Sequence, residues 1–174
     1  MSAGRPPKTA IDAVATETPE SLPGVVAGMS RRVLVALDQS DQSTKALDHA
    51  LAVHGDETLV LVNVVDPTRW VSAGDGEGMD PYYSKELEES AKEASDELLE
   101  SAAERARDRG VDVETVRLVG GPAQSILEYL DDEGDDIDQV VMGSHGRRGL
   151  TRVLMGSVAE KVTRRSSVPV TVVR

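Results

Sequence analysis

The stretch DQVVMGSHGRRGLTRVLMGSVAEKV, residues 138–162, begins with a short apolar run, continues through four glycines within fourteen residues, and ends in a run of helix formers. A strand that enters a glycine-rich loop and is followed by a helix is typical of α/β folds with a parallel sheet. Glycine gives backbone N–H groups access to φ values closed to other residues, and a helix N-terminus attracts anions. The stretch therefore predicts an α/β fold and a phosphate-binding loop.

The local charge of this loop favours the same interpretation. The charged side chains between positions 139 and 159 are three arginines, whereas the rest of the chain sums to −15. A second interpretation stays open, because SVAE at 157–160 has the pattern of a capping box. In that case the glycines form a tight turn and Ser157 serves only as the N-cap of the helix. The chain contains neither G-x-G-x-x-G nor G-x-x-x-x-G-K-[ST].

Apolar patterns along the rest of the chain predict alternating strands and helices. The continuous run TLVLVNVV, residues 58–65, indicates a strand covered on both faces, as in parallel sheets. Alanine and leucine recur every three or four positions in residues 84–110, which predicts one long amphipathic helix ending at Gly110. The predicted strands span residues 33–37, 58–65, 111–119, 138–143 and 169–174, with helices at 40–53, 84–110, 122–130 and 157–165 and a long loop at 66–83.

This order of elements predicts a single domain over residues 31–174, built on a doubly wound parallel sheet with helices on both faces. In such sheets a ligand binds beyond the carboxyl ends of the strands, where the strand order reverses. Residues 1–30 contain four prolines and no sustained apolar period, so we expect a disordered N-terminal tail. Met29 stands just before the first predicted strand, which leaves open whether translation starts at Met1 or at Met29.

Composition restricts the classes of function. A net charge of −12 repels the phosphate backbone, so we expect no nucleic-acid partner. The absence of cysteine excludes disulfides, thiolate metal sites and cysteine nucleophiles. No apolar run approaches the roughly 20 residues of a membrane span, and the run that ends at Asp38 is too short for an export signal, so we expect a cytoplasmic protein without membrane association. The acid excess suits either a salt-rich cytoplasm or an ordinary acidic protein.

Four segments together resemble the universal stress protein family and its UspA-like domains. They are VLVALDQSDQSTKALDHAL at 33–51, VLVNVVDP at 60–67, VVMGSHGRRGLTRVLMGSVAEKV at 140–162 and SSVPVTVVR at 166–174. The glycine loop fits the nucleotide signature of that family, G-x2-G-x9-G-[S/T], with Gly143, Gly146, Gly156 and Ser157 at the required positions. The resemblance spans about residues 32 to 174.

The resemblance implies a five-stranded parallel sheet of order 3-2-1-4-5, a homodimer, and ATP bound with magnesium or manganese between the ends of strands 1 and 4. Asp38 would meet the adenine or ribose, and Val64 would offer backbone contacts to adenine. The loop would line the ribose and phosphates, and the helix start would donate main-chain and hydroxyl groups to the β- and γ-phosphates. The implied site residues are Asp38, Val64, Met142, Gly143, His145, Gly146, Gly156, Ser157 and Val158.

We expect an ATP-binding regulatory homodimer with slow or no hydrolysis and no catalytic residue. Its apolar C-terminal strand, residues 169–174, would be an exposed edge unless it pairs, so we expect the dimer to form there. An adenylyl- or phosphoryl-transfer enzyme stays open as an alternative, although the loop lacks a lysine or second carboxylate, and so does an interaction module without ligand. No second polar group is spaced to orient His145 as a catalyst, and we expect His49 and His54 at the surface.

Overall fold

The computed structural model describes residues 31–68, 81–132, 136–145 and 155–174. The predicted tail, residues 1–30, lies outside them. In the described ranges five strands alternate with four helices, as the apolar patterns predict. The elements are β1 (Arg32–Leu37), α1 (Asp41–Val53), β2 (Thr58–Val65), α2 (Pro81–Arg107), β3 (Val113–Val119), α3 (Pro122–Asp132), β4 (Ile137–Gly143), α4 (Ser157–Arg165) and β5 (Val170–Val173).

The sheet is parallel throughout and ordered β3-β2-β1-β4-β5, which confirms the expected order. Its register brings the carboxyl ends of β1, β2 and β4 to one edge, where Leu37 pairs with Asn63 and Ala36 pairs with Met142. The chain moves outward from β1 to β3 and then returns to the other side of β1 with β4. The strand order therefore reverses between β1 and β4, which is where doubly wound sheets bind ligands.

Apolar side chains fill both faces of the sheet. On one face α1 and α2 cover side chains such as Val35 and Leu61, and on the other face the cluster that includes α3 and α4 contains Leu34 and Val60. Burial on both faces is the physical reason for the continuous apolar runs of β1 and β2. Among the described residues, no helix combines the length and the apolar composition needed to cross a membrane.

The second helix differs from its predicted limits. It begins at Pro81, so residues 81–83, predicted as loop, are helical. Proline suits a first helical position because its missing N–H needs no partner there. The helix ends at Arg107, and the N–H of Gly110 donates to the Arg107 carbonyl oxygen at 2.8 Å. Gly110 has a φ of 73°, so it forms the turn that follows the helix and leads to β3.

The last strand, β5, lies at an edge of the sheet, and in the described part of the chain its only paired strand is β4. The N–H of Val140 donates to the carbonyl oxygen of Pro169 at 2.9 Å, and the N–H of Ser144 donates to that of Val173 at 2.7 Å. The N–H and carbonyl groups of residues 171 and 173, and the carbonyl group of Pro169, therefore point toward β4. Because the hydrogen-bonding direction alternates along a strand, the backbone groups of Val170 and Val172 point to the open edge.

Candidate functional site

An open cleft lies at the carboxyl edge of the sheet, at the reversal between β1 and β4. Its walls are the ends of β1, β2 and β4, the starts of α1 and α4, and one side each of α2 and α3. Eight of the nine implied site residues line it, and Gly146 lies outside the described residues. The structure thus brings together positions that are up to 120 residues apart, from 38 to 158, although their binding roles stay a prediction. The eight are Asp38, Val64, Met142, Gly143, His145, Gly156, Ser157 and Val158.

Asp38 follows β1 and is held in a fixed orientation. Its Oδ1 accepts hydrogen bonds from the N–H of Ser40, at 2.9 Å, and from the Ser40 hydroxyl. Ser40 is itself the N-cap of α1, because its hydroxyl oxygen accepts from the N–H of Ser43 at 3.2 Å. Ser40 therefore caps the helix, and Asp38 orients the side chain of Ser40. Its second oxygen, Oδ2, has no hydrogen-bond partner among the described residues, so it remains able to accept one from a ligand.

Gly143, the last residue of β4, lies tightly against the first turn of α1. A Cβ atom at this position would lie 2.8 Å from the carbonyl carbon of Gln42 and 3.0 Å from its oxygen. Real Cβ atoms essentially never approach backbone atoms so closely. Packing against α1 therefore requires a glycine here, whether or not a ligand is bound.

Ser144 connects three parts of the site, and the sequence alone did not single it out. Its N–H donates to Val173 and its carbonyl oxygen accepts from the N–H of Gly156, both at 2.7 Å. Its side chain is buried, at 2% exposure, and the hydroxyl lies 3.0 Å from Nδ1 of His145. The expectation that no polar group orients His145 is therefore wrong. The neighbouring serine was visible in the sequence, but adjacent side chains meet only when the backbone turns appropriately, as it does after β4.

The start of α4 also differs from the capping-box interpretation. Gly156 is the N-cap, with φ −72° and ψ 157°, and Ser157 is the first helical residue. In the described structure no side chain caps this helix, so the interpretation of Ser157 as a cap is wrong. The physical reason is the hydrogen bond from Gly156 to Ser144, which sets the point where the chain enters the helix.

This arrangement determines which donors the helix offers. The N–H of Gly156 donates to the carbonyl oxygen of Ser144, and the N–H of Glu160 donates to the carbonyl oxygen of Gly156 at 2.9 Å. Between them, the N–H groups of Ser157, Val158 and Ala159 have no acceptor within the described ranges. Three free donors at the positive end of a helix dipole form an anion-binding surface. The hydroxyl of Ser157 is exposed beside them.

The cleft combines apolar surface, a carboxylate acceptor and backbone donors. Val64 and Met142 supply apolar surface, Asp38 supplies an acceptor, and the start of α4 supplies donors for phosphate. No three histidine, aspartate or glutamate side chains are grouped to hold a metal ion in the ranges described.

The other two histidines do not line the cleft. His54 directly follows α1 and is 8% exposed, and its Nδ1 lies 2.9 Å from Oε2 of Glu57. The expectation of a surface position is therefore wrong for His54, because the short turn into β2 brings Glu57 against the ring. His49 is partly exposed, and its ring lies edge-on to that of His54 with 6.5 Å between centroids.

The fold and the cleft define the class: a doubly wound α/β domain with a candidate ligand site at the strand reversal. The chain belongs to the universal stress protein family, whose model matches residues 29–174. Universal stress protein YxiE of Bacillus subtilis is 33% identical over 150 residues, which cover 84% of this chain and 100% of that relative.

Solved structures agree with the family assignment. Protein MJ0577 of Methanocaldococcus jannaschii is 30% identical, and its structure matches with a TM-score of 0.70 over 83% of this chain and 96% of that chain. A universal stress protein solved in complex with cAMP is 26% identical, with a TM-score of 0.56 over 83% of this chain and 97% of that one.

Proposed function

We propose that this protein binds ATP, with magnesium or manganese, and acts as a regulatory nucleotide-binding protein that hydrolyses ATP slowly or not at all. The observation that carries the proposal is the set of three N–H groups at the start of α4 that have no acceptor among the described residues, in the same cleft as Oδ2 of Asp38, which also has no partner there. Helix N-termini with free donors stabilise phosphate, and a carboxylate oxygen accepts from ribose hydroxyls or the adenine amino group.

In this proposal the nucleotide lies along the carboxyl edge of the sheet. Val64 and Met142 contact the base, Asp38 binds the ribose or base, and Ser157 and Val158 donate to phosphate oxygens. The relative solved with cAMP supports an adenine nucleotide as the ligand class. The spaced glycine signature that ends at Gly156 and Ser157 supports a triphosphate. The protein would work in the cytoplasm, where ATP is supplied.

The proposal includes a homodimer formed through β5. The side chains of Val170–Val173 are all partly exposed, and the strand has an open edge in the described structure. An unprotected apolar edge favours pairing with another strand, and a second copy offers an identical one. Pairing of two β5 strands would satisfy the outward backbone groups of Val170 and Val172.

A phosphoryl-transfer enzyme remains the second candidate, because Lys161 lines the same cleft one helical turn after Ser157. A lysine near transferring phosphates stabilises the charge that develops in the reaction. Release of several equivalents of phosphate or pyrophosphate per protein, lost in Lys161→Gln, would favour this candidate. No release, or slow release that is unchanged in Lys161→Gln, would favour the regulatory protein.

The direct test of the proposal is nucleotide binding with a matched pair of variants. Asp38→Asn keeps the shape and the acceptor for Ser40 but removes the negative charge, whereas Asp41→Asn changes an exposed carboxylate of α1 that does not line the cleft. Calorimetry with Mg-ATP should show a loss of about tenfold or more for Asp38→Asn and no change for Asp41→Asn. Absence of binding by the wild-type protein, together with no nucleotide in extracts of the purified protein, would refute the proposal.

A further inference from the structure

Asn63 interrupts the apolar run of β2 at the point where the strand reaches the cleft. Asparagine is depleted in strands, and here it is half-buried and lines the cleft two residues before the strand ends. In the sheet register it pairs with Leu37, the residue that precedes Asp38. It also directly precedes Val64, so a base that contacts the backbone of Val64 is within reach of the Asn63 side chain.

A single hydrogen bond orients the amide of Asn63. Its Nδ2 donates to the carbonyl oxygen of Leu37 at 2.7 Å. Because a carbonyl oxygen can only accept, the amino group of the amide must face it, and the amide oxygen must face away. Turning the amide over would bring two oxygens together and lose this bond. The contact with Leu37 therefore determines which way the amide points.

The amide keeps one acceptor and one donor for a ligand. Oδ1 and the second proton of Nδ2 have no partner among the described residues. An asparagine amide is complementary to adenine, which offers the protons of its amino group beside a ring nitrogen that accepts. A 6-oxopurine has an oxygen in place of the amino group, so that oxygen would face Oδ1 as a second acceptor. The fixed amide therefore favours adenine.

The wall of the cleft near Asn63 has room for a flat apolar group. Side chains alternate along a strand, so Asn63 points to the same face as Leu61, which α1 and α2 cover. On this face α2 lines the cleft with Ala91, Ala94 and Leu98, which are partly buried. Two of these side chains are single methyl groups, so a base could lie against the helix while its edge meets the amide.

We propose that Asn63 selects adenine over 6-oxopurine bases. Oδ1 accepts from the amino group of the base, and Nδ2 donates to a ring nitrogen while it stays bonded to Leu37. Asp38 is then left to bind the ribose. This inference rests on the proposed nucleotide binding and adds to it the side chain that reads the base. The bond to Leu37 is essential, because an amide free to turn over would accept either kind of base.

The selection can be tested on the wild-type protein by calorimetry with Mg-ATP and with Mg-ITP. The two nucleotides share the ribose and the triphosphate, and ITP carries an oxygen where ATP carries the amino group. We expect Mg-ATP to bind at least about fivefold more tightly. Equal affinities would overturn the role of Asn63 and leave the proposed function standing, whereas absence of binding of both nucleotides would refute both.

Asn63→Ala should remove the selection. Binding of Mg-ATP should weaken by about fivefold or more, while Mg-ITP should bind as before or more tightly. The matched control is Gln139→Ala, because Gln139 is another half-buried strand amide, bonded to the Thr171 hydroxyl at 2.7 Å, that does not line the cleft. The control should keep the wild-type ratio of affinities. Equal losses for both nucleotides in Asn63→Ala would show that the amide only supports the fold, and would overturn the proposal.

A second measurement needs no substitution, because Asn63 is the only asparagine in the chain. Protein labelled with ¹⁵N in asparagine side chains therefore gives the NMR signals of one amide group. We expect both of its proton signals to shift on saturation with Mg-ATP and to shift less with Mg-ITP. Signals that stay unchanged in the Mg-ATP complex would show that the amide does not contact the base, and would also overturn the proposal.

Discussion

Replacement of Ser157 by alanine separates ligand binding from fold stability. Ser157 is the first residue of α4, it is exposed, and the helix is capped by Gly156 without any side-chain hydrogen bond in the described structure. The hydroxyl therefore contributes no cap to the folded protein. In the proposed complex it donates to a charged phosphate oxygen beside the N–H groups of Val158 and Ala159, which have no acceptor in the described part of the chain.

A hydroxyl that binds phosphate and a hydroxyl that caps the helix would affect different quantities when removed. Loss of a hydrogen bond to a charged group costs about 1.5–3 kcal/mol, which corresponds to about a 10- to 150-fold weaker affinity for Mg-ATP. Loss of a cap would cost about 1 kcal/mol of folding free energy, which lowers the melting temperature of a protein of this size by about 2–4 °C. For Ser157→Ala we therefore expect weaker Mg-ATP affinity and an unchanged melting temperature.

The assay combines calorimetric titration with Mg-ATP and thermal melts without nucleotide, on wild type and Ser157→Ala. Thr163→Ala is the control, because Thr163 is an exposed hydroxyl residue of the same helix that does not line the cleft. We expect Thr163→Ala to bind like the wild type. Unchanged affinity in Ser157→Ala would refute the role of the hydroxyl in binding, and a melting temperature lowered by 2–4 °C would show that Ser157 caps the helix after all.

Three further predictions concern packing, assembly and the tail. Gly143→Ala should lower the melting temperature by about 3–10 °C even without nucleotide, because overpacking against Gln42 costs about 1–3 kcal/mol, while Gly55→Ala, whose Cβ would meet only an ordinary contact at 3.5 Å, should change it little. Val172→Pro removes a backbone donor at the open edge of β5, so light scattering should show monomers. Thr171→Pro instead removes a hydrogen bond to β4 and should destabilise the monomer. A Val172→Pro protein that stays dimeric would contradict the β5 interface. Deletion of residues 1–28 should leave both the melting temperature and the Mg-ATP affinity within error, and a clear loss of either would show that the tail packs on the domain.

The limits of α4 and the environment of Gly143 show where sequence patterns stop being informative. A capping box and a glycine N-cap differ by one residue, and SVAE fits the former pattern well. The entry point of the helix was set instead by the hydrogen bond between Gly156 and Ser144, which requires β4 and α4 to be adjacent in space. Likewise, the requirement for glycine at position 143 comes from Gln42, about a hundred residues earlier in the chain.

The succession of strands and helices follows from the apolar pattern of the chain, because burial of a parallel sheet on both faces demands continuous apolar runs such as residues 58–65. The pattern also predicts that Asp38, after β1, and the end of β4 lie close together, since both follow the carboxyl ends of neighbouring parallel strands. Which polar groups in the cleft are already bonded became clear from the folded arrangement of distant segments. The N–H of Gly156 and Oδ1 of Asp38 are occupied, whereas three N–H groups of α4 and Oδ2 of Asp38 are free in the described residues. Hydrogen-bond partners depend on distances of a few tenths of an ångström between distant segments, and no local pattern of residues encodes those distances.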